Sequence, residues 1–276
     1  MGERQLGLAM LLQPRNRPEH DLPRPTAAPR TYVIASTPRC GSTLLCHALW
    51  STARVGAPRE YLNPAQLRDW TLRLGPGWLL KGPAPPTSQA LTRGPLPQTA
   101  LRRYLDAIRA RRSGPTGWFG LKVHHHHLVR WLGEADLEAV LGPIHWIHLR
   151  REDRIGQALS WVRARQTGRW ASHAPGLLPP RYDPHAIRAA SDALILAEND
   201  WRARWRRAGV RPLLTLTYEE LCAAPRACVN RVLRALGEPP VQVLPAPSLH
   251  PQADARTAEW RARYLARPLA AGYQPP

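Results

Sequence analysis

The most constraining feature of the sequence is a short apolar strand that leads directly into a compact Gly/Ser/Thr loop and then a helix. Residues 32–35 (YVIA) have the composition of a buried strand. The loop at 36–42 (STPRCGS) follows at once, and apolar side chains then recur at helical spacing. A strand, a tight loop and a helix in this order are the opening unit of an α/β sheet protein.

The same loop predicts an anion-binding site. Unpaired N–H groups at a helix N-terminus, after a Gly/Ser/Thr turn, bind phosphate groups. Gly41 lets the backbone approach a ligand closely, and Ser42 and Thr43 add hydroxyl donors. Arg39 adds a fixed positive charge. An ATPase or kinase loop requires a lysine where this chain has Gly41, which argues against that class. A helix N-cap made by Ser42 or Thr43 is the alternative.

Strands and helices alternate along the rest of the chain. Further strands are predicted at 118–123, 144–149 and 213–216. Helices are predicted at 101–112, 128–141, 152–166, 184–208, 218 onward and 226–236. This alternation predicts an α/β protein with a mostly parallel sheet flanked by helices.

Pro-rich segments predict the domain organisation. Residues 1–30 lack apolar periodicity, so we expect a disordered N-terminal arm ahead of a single domain at 31–276. Clustered Gly and Pro predict a surface excursion at 75–99 and a lid at 169–184.

The charge is high but is weak evidence for function. The chain has 39 Lys+Arg against 20 Asp+Glu, a net charge of +19, which favours anionic partners. Nearly all of this charge is arginine, in a chain also rich in proline and alanine, as a compositional bias would produce. No apolar stretch reaches the roughly 18–20 residues that span a bilayer, so a soluble, cytoplasmic protein is expected.

The run His124–His127 raises the question of a metal site. It follows an apolar, strand-like segment. Because neighbouring side chains on a strand point to opposite faces, four consecutive histidines there cannot converge on one ion. We therefore expect no metal.

A second constellation follows the third strand. Arg151 lies at the predicted strand end, and Ser160 follows about two helical turns later. This arrangement can hold a second phosphate beside the first loop. The alternatives are a solvated charge at the helix start and a surface hydroxyl.

Five segments between residues 31 and 265 carry a family resemblance. They are YVIASTPRCGSTLL at 32–45, GAPREYL at 56–62, IHLRREDRIGQALSW at 147–161, TYEEL at 217–221, and QAD at 252–254 followed by Glu259-Trp260. In this order they resemble the bacterial Stf0 group of sulfotransferases, which use 3′-phosphoadenosine-5′-phosphosulfate (PAPS). The resemblance implies a P-loop-NTPase-like sulfotransferase fold, a PAPS donor and no metal.

The resemblance also implies which residues bind the donor. It implies that Arg151 and Ser160 bind the 3′-phosphate, with Arg150 as an alternative to Arg151. It implies that the 5′-phosphosulfate is bound by the loop residues Arg39, Cys40, Gly41, Ser42 and Thr43.

The general base that the resemblance implies is Glu60, which would take the proton of the acceptor hydroxyl. Glu60 suits this role if partial burial raises its pKa. Lys122 ends the second strand, where open α/β sheets place ligand contacts, and joins Arg39 as an expected catalytic cation. His124 and His125 are alternatives to Glu60 as the base.

The expected acceptor is a hydroxyl of a carbohydrate, glycolipid or related small molecule. His124 and Trp170 are candidate acceptor contacts, and Trp161 is a second tryptophan that could stack on a sugar or on adenine. Two positions depart from the group: Cys40 replaces a serine, and Pro251 replaces a basic residue. Acceptor choice is expected to depend on the segments 75–99 and 169–184, which are individual to this chain, so trehalose, the acceptor of the group's type member, is not carried over.

Other classes stay open at this point. A catalytically degenerate relative and a nucleic-acid-binding basic protein are the alternatives to an enzyme, although we expect no specific nucleic acid. Members of the Stf0 group can form homodimers, and no feature of this sequence decides the oligomeric state.

Overall fold

One parallel sheet forms the centre of the molecule. The computed structural model describes residues 13–75, 95–133, 135–170, 178–245 and 254–266. The strands in these ranges are β1 Arg30–Ser36, β2 Trp118–His124, β3 Ile144–Arg150 and β4 Leu214–Thr217. All pair in parallel in the order β2-β1-β3-β4, which confirms the predicted mostly parallel α/β architecture.

Helices connect and cover these strands. In the described ranges they are α1 Ser42–Ser51, α2 Pro64–Leu74, α3 Gln98–Arg112, α4 His125–Leu132, α5 Glu138–Leu141, α6 Arg154–Thr167, α7 Pro184–Ala208, α8 Tyr218–Ala223, α9 Pro225–Ala235 and α10 Ala255–Leu265. Within those ranges, none of them combines the length and the apolar character that a membrane span needs.

Both faces of β1 are buried, as expected for a central parallel strand. Val33 and Ala35 pack into the apolar cluster formed with α2, α3 and α4, whereas Tyr32 and Ile34 pack into the cluster formed with α1 and α9. This alternation follows the two-residue period of a strand. Burying each large apolar side chain contributes roughly 1.5–3 kcal/mol, so the sheet is held firmly between its two helical layers.

The carboxyl ends of the strands meet at one edge of the sheet. Ser36 at the end of β1 is in register with His124 of β2 and with Leu149 of β3. Arg150 of β3 is in register with Thr217 of β4. In open α/β sheets, ligands bind at this edge.

The predicted helix at 128–141 is wrong in its bounds. A helix begins earlier, at His125, and ends at Leu132, before a second, four-residue helix begins at Glu138. Gly133 interrupts them with a φ of 61°, a conformation that L side chains rarely adopt. The histidine run is therefore mostly helical, and only His124 belongs to the strand.

Residues 13–22 pack against the domain, so the prediction of a disordered arm is wrong for this segment. Asn16 is fully buried, and its Nδ2 donates to Asp69 Oδ2 at 2.9 Å. Asp21 forms ion pairs with Arg73 of α2 and Arg112 of α3. Polar partners, rather than apolar periodicity, hold this segment. A single domain beginning at residue 31 stays a prediction.

Two predicted surface segments fall largely outside the described residues. These are 76–94 of the predicted excursion and 171–177 of the predicted lid. The same holds for most of the QAD segment and for Pro251.

Candidate functional site

The loop between β1 and α1 forms a backbone cradle. Arg39 and Gly41 both have positive φ, 63° and 83°, with Cys40 between them. Such alternation turns successive N–H groups toward one point, the arrangement that binds anions. The N-cap of α1 is Gly41, and no side chain caps the helix, so the alternative of a Ser42 or Thr43 cap is not what the structure shows. The N-cap residue therefore offers no side chain that would compete with a ligand for the first N–H groups of α1.

One side of the loop carries two arginines and a serine. Arg39 Nε donates to Ser160 Oγ at 3.0 Å, and Arg151 Nη1 donates to the carbonyl oxygen of Arg39 at 3.5 Å. Burial and the neighbouring Arg151 lower the pKa of Arg39. Two guanidinium groups side by side repel each other, and an anion between them would relieve that repulsion. The structure thus brings together the residues predicted to bind the 3′-phosphate.

Neighbouring side chains hold Arg151 and the loop in place. Asp153, the N-cap of α6, accepts from Arg151 Nη2 at 3.3 Å, and the ring of Tyr218 lies 4.5 Å from the Arg151 guanidinium carbon. Gln157 Nε2 donates to Thr37 Oγ1 at 2.9 Å and to the carbonyl oxygen of Pro38 at 2.7 Å. These contacts preorganise the loop before any ligand binds.

The other side of the loop carries Lys122 and Glu60. The backbone N–H of Lys122 donates to the carbonyl oxygen of Arg59 at 2.9 Å, which forms an isolated β-bridge. Because Glu60 follows Arg59, this bridge positions Glu60 beside the end of β2. Lys122 Nζ lies 2.8 Å from Glu60 Oε2 and donates to Thr43 Oγ1 at 3.3 Å. A carboxylate, an ammonium group and a loop hydroxyl therefore form one chain of contacts.

Two histidines complete the surroundings of Glu60. His124 Nε2 lies 3.1 Å and His127 Nδ1 lies 3.6 Å from Glu60 Oε1. Both rings are buried. Burial lowers the pKa of His124 to about 4 and that of His127 to about 3, so both are neutral at pH 7. Lys122 is then the charged partner of Glu60 among these three residues.

The pKa of Glu60 departs from the sequence prediction. Burial by itself raises this pKa, but Lys122, with His124 and His127, more than offsets it. The pKa of Glu60 therefore lies well below its ordinary value, and the expectation of a raised pKa is wrong. Glu60 is ionised, and so able to accept a proton, throughout the neutral range.

Three other predicted residues make contacts outside the candidate site. The Cys40 thiol is fully buried in an apolar cluster. A serine at this position, as in the Stf0 group, would therefore not expose its hydroxyl to a ligand. Arg150 forms an exposed pair with Glu152, at 3.0 Å between Nη2 and Oε1. His125 Nδ1 faces Asp200 Oδ2 at 3.7 Å, so this ring pairs with a carboxylate of α7 and not with Glu60.

The two tryptophans also differ. Trp161 packs beside the apolar cluster of α6, α7 and α10, as a core residue does. Trp170 is 53% exposed, and its carbonyl oxygen accepts from Arg39 Nη1 at 2.7 Å. The structure therefore brings Trp170, rather than Trp161, to the loop.

His127 and Tyr218 belong to this site, although the sequence analysis assigned neither of them a role. The signal for His127 is the pattern Lys122-x-His124-x-x-His127, in which two-residue strand spacing changes to three-residue helical spacing. Recognising it requires knowing that the strand ends at His124. Tyr218 reaches the loop because β4 ends beside β3 and α8 begins there. A Cβ placed on Gly41 would come within 2.4 Å of Tyr218 Cδ2.

The large cavity of the described structure lies elsewhere. It has a volume of about 930 Å³ at the C-terminal end of α7, where Arg202, Trp205 and Val210 contribute to its wall. A much smaller cavity of about 10 Å³ lies beside the loop, with Thr37, Arg151 and Gln157 in its wall. We assign the site from the loop and its charged groups, because the large cavity contains none of them. Across the described ranges, no group of three or more His, Cys, Asp or Glu is arranged to hold a metal ion.

Comparison with known proteins identifies the family. The Stf0 sulphotransferase family model matches residues 31–267. The trehalose 2-sulfotransferase of Mycobacterium tuberculosis (strain ATCC 35801 / TMC 107 / Erdman) is 30% identical over 270 residues, covering 87% of this chain and 96% of that protein. The trehalose 2-sulfotransferase of Mycolicibacterium smegmatis (strain ATCC 700084 / mc(2)155) is 29% identical over 263 residues, covering 86% and 94%.

Among solved structures, the sulfotransferase domain from the Synechococcus PCC 7002 olefin synthase has a TM-score of 0.48 at 18% identity, covering 91% of this chain and 93% of that one. The parallel sheet and the family match together confirm the predicted sulfotransferase fold. The chain belongs to the Stf0 sulphotransferase family and is a sulfotransferase.

Proposed function

We propose that this enzyme transfers a sulfuryl group from PAPS to a hydroxyl of a carbohydrate, glycolipid or related small molecule. The observation that carries the proposal is Lys122, whose ammonium group contacts both Glu60 and Thr43. The carboxylate that we propose as the base therefore lies beside the loop that we propose as the donor site. The trehalose 2-sulfotransferases among the relatives support a carbohydrate acceptor.

The loop has the donor groups that PAPS needs. It offers backbone N–H groups at an uncapped helix start, and the guanidinium groups of Arg39 and Arg151 lie beside it. Arg151 Nε is buried without a hydrogen-bond partner, and leaving such a group unpaired is costly. We infer that the loop backbone holds the 5′-phosphosulfate and that Arg151 and Ser160 hold the 3′-phosphate. When bound, the donor supplies an activated sulfuryl group on a phosphate leaving group.

The residues around the loop divide the chemistry between them. Glu60 Oε1 takes the proton of the acceptor hydroxyl as that oxygen attacks sulfur. Lys122, Arg39 and the N-terminus of α1 stabilise the negative charge that grows on the leaving-group oxygen. Thr43 keeps the ammonium group of Lys122 at the loop, because its hydroxyl accepts from Nζ.

Calorimetry with the full chain tests the donor site. Titrations with 3′,5′-ADP and with 5′-ADP plus Mg²⁺ are compared at moderate salt. We expect selective binding of 3′,5′-ADP. Equal binding, or no binding of either nucleotide, would overturn the donor assignment. Binding to any DNA duplex that weakens steeply with salt, without discrimination between the nucleotides, would support the nucleic-acid alternative instead.

Glu60→Gln tests the base. It keeps the shape of the side chain but removes its charge, so we expect kcat to fall by roughly 10²- to 10⁴-fold with carbohydrate acceptors. Affinity for 3′,5′-ADP should be kept. The matched control is Glu152→Gln, which changes an exposed carboxylate near the loop and should leave kcat unchanged. Full turnover in Glu60→Gln would move the base role to His124 or Lys122.

A further inference from the structure

The turn between β3 and α6 carries Arg151. β3 ends at Arg150 and α6 begins at Arg154, so residues 151–153 lie outside both elements. The guanidinium group of Arg151 can hold a phosphate at a fixed place only if the backbone of this turn is itself held. A group that holds the backbone, and makes no use of the guanidinium, would position Arg151 and leave its donors free for a ligand.

The side-chain contacts of Arg151 do not meet this requirement. Nη2 donates to Asp153 Oδ2 at 3.3 Å, and Nη1 donates to the carbonyl oxygen of Arg39 at 3.5 Å. Both distances are longer than the usual 2.7–3.2 Å of an N–H···O bond. Both contacts also use donors that a phosphate would need, and Nε has no hydrogen-bond partner. The guanidinium is therefore held only loosely through its own donors.

Glu219 holds the turn by its backbone. Its Oε2 accepts from the backbone N–H of Glu152 at 3.1 Å, and its Oε1 accepts from the backbone N–H of Asp153 at 3.1 Å. Hydrogen bonds to an ionised carboxylate are stronger than those between neutral groups. The contact follows from the sheet, because Arg150 of β3 is in register with Thr217 of β4 and the segments after them run side by side. One carboxylate thus fixes the two residues that directly follow Arg151.

The neighbouring Glu220 has a different role. Its Oε2 accepts from the backbone N–H of Thr217 at 2.8 Å, and Thr217 Oγ1 accepts from the backbone N–H of Glu220 at 3.1 Å, which forms a capping box. Glu220 therefore caps its own helix, α8, and Glu219 takes no part in that cap. The same helical turn carries Tyr218, whose ring lies 4.5 Å from the Arg151 guanidinium carbon. The first turn of α8 thus holds both the backbone after Arg151 and its side chain.

We propose that Glu219 is a positioning residue for the donor site, which holds the turn at 151–153 so that Arg151 meets the 3′-phosphate. This inference rests on the proposed binding of the 3′-phosphate by Arg151. Glu219 acts through Arg151 and supports selection of adenosine nucleotides that carry a 3′-phosphate. Its carboxylate also satisfies two N–H groups at the start of α6 that would otherwise attract an anion.

Calorimetric titration of the full chain with 3′,5′-ADP tests this role. Glu219→Ala removes both hydrogen bonds to the turn and should weaken binding roughly 10-fold. Glu219→Gln keeps one acceptor oxygen and should show a smaller loss. The matched control is Glu220→Gln, which keeps an acceptor for the capping box and should bind 3′,5′-ADP as wild type does.

A double-mutant cycle shows whether Glu219 acts through Arg151. In an Arg151→Ala background, Glu219→Ala should have little further effect, because the side chain that it positions is absent. Glu219→Ala should also leave the affinity for 5′-AMP unchanged, since this nucleotide has no 3′-phosphate. A general disturbance of the loop would weaken the binding of both nucleotides. Misfolding would lower the stoichiometry of binding instead of the affinity.

Three outcomes would count against the inference. Wild-type affinity for 3′,5′-ADP in Glu219→Ala, losses that add in the double variant, or an equal loss of affinity for 5′-AMP would each overturn it. If Glu219→Ala does not fold, Glu219→Gln takes its place in the cycle and must show the same selective loss. Wild-type affinity in Arg151→Ala would instead remove the proposed 3′-phosphate site itself.

Discussion

The ammonium group of Lys122 lies 2.8 Å from the carboxylate of Glu60, although the two residues belong to distant parts of the chain. This contact has two effects. It holds Glu60 ionised, and it keeps a positive charge within 3.3 Å of Thr43 Oγ1 in the loop. The proposed base and the charge proposed to assist the leaving group therefore form one electrostatic unit.

Lys122→Met should change both the rate and its pH dependence. We expect kcat to fall roughly 10²- to 10³-fold, because a transition-state cation is lost. Burial would then be less opposed, so the pKa of Glu60 would rise. The residual activity of Lys122→Met should fall as the pH is lowered through that raised pKa, because protonated Glu60 cannot accept a proton. The activity of the wild-type enzyme should show no such decrease in the same pH range.

The pH profile of kcat/KM checks this expectation. Lys122→Arg is the control, since it keeps the charge and should keep the wild-type profile. A Lys122→Met profile that coincides with that of wild type after scaling would show that Lys122 does not set the pKa of Glu60.

Arg151→Ala should weaken 3′,5′-ADP binding by roughly 10- to 100-fold, corresponding to the roughly 1.5–3 kcal/mol of hydrogen bonds to a charged group. Arg151 contacts the loop, whereas the neighbouring Arg150 forms an exposed pair with Glu152. Arg150→Ala is therefore the matched control and should bind nearly as wild type. Calorimetry measures both, and equal weakening in the two variants would contradict the assignment of Arg151.

Much of the candidate donor site could be predicted from the sequence, because its residues lie in segments whose secondary structure the sequence pattern itself indicates. The strand, loop and helix around Gly41 form a continuous pattern, and Arg151 and Ser160 follow a recognisable strand. Parallel strands bring their carboxyl ends to one edge, so these segments had to meet.

The contacts around Glu60 could not be predicted in the same way. Glu60 reaches Lys122 through a single backbone bridge between Arg59 and Leu121, which no periodicity reveals. The position of His127 depends on the strand ending at His124, and the ends of strands and helices are the features that a sequence defines least well. The direction in which the pKa of Glu60 is shifted depends on these tertiary contacts.

Gly41→Ala should impair both folding and donor binding. The residue has a φ of 83°, and a Cβ there would come within 2.4 Å of Tyr218 Cδ2. Moving Tyr218 would also disturb Arg151, which lies against its ring. We expect a loss of about 1–3 kcal/mol in the free energy of unfolding, together with weaker 3′,5′-ADP binding.

Gly209→Ala is the matched control for this variant. Gly209 has a φ of 62°, but a Cβ added there would have no atom within 4 Å outside the residue's immediate surroundings in the chain. Denaturation should show a similar backbone cost, and calorimetry should show unchanged 3′,5′-ADP binding. Normal donor binding in Gly41→Ala would contradict the close contact between the loop and Tyr218.

The stability of the fold should decrease as the pH falls from 7 toward 5, because of the buried histidines. Burial lowers the folded-state pKa of His124 to about 4 and that of His127 to about 3, from an ordinary value of 6.5. The unfolded chain therefore binds more protons below about pH 6.5, and stability is lost by up to about 1.4 kcal/mol per pH unit for each histidine. Glu60 does not oppose this trend, because its stabilising contribution is lost only below its ordinary value of 4.5.

Denaturant titrations at several pH values between 5 and 7 give the slope of the free energy of unfolding against pH. This slope should be shallower for the double variant His124→Asn/His127→Asn than for wild type. It should be unchanged for the exposed control His185→Asn. A double variant with the wild-type slope would mean that these two rings are not held neutral by the fold.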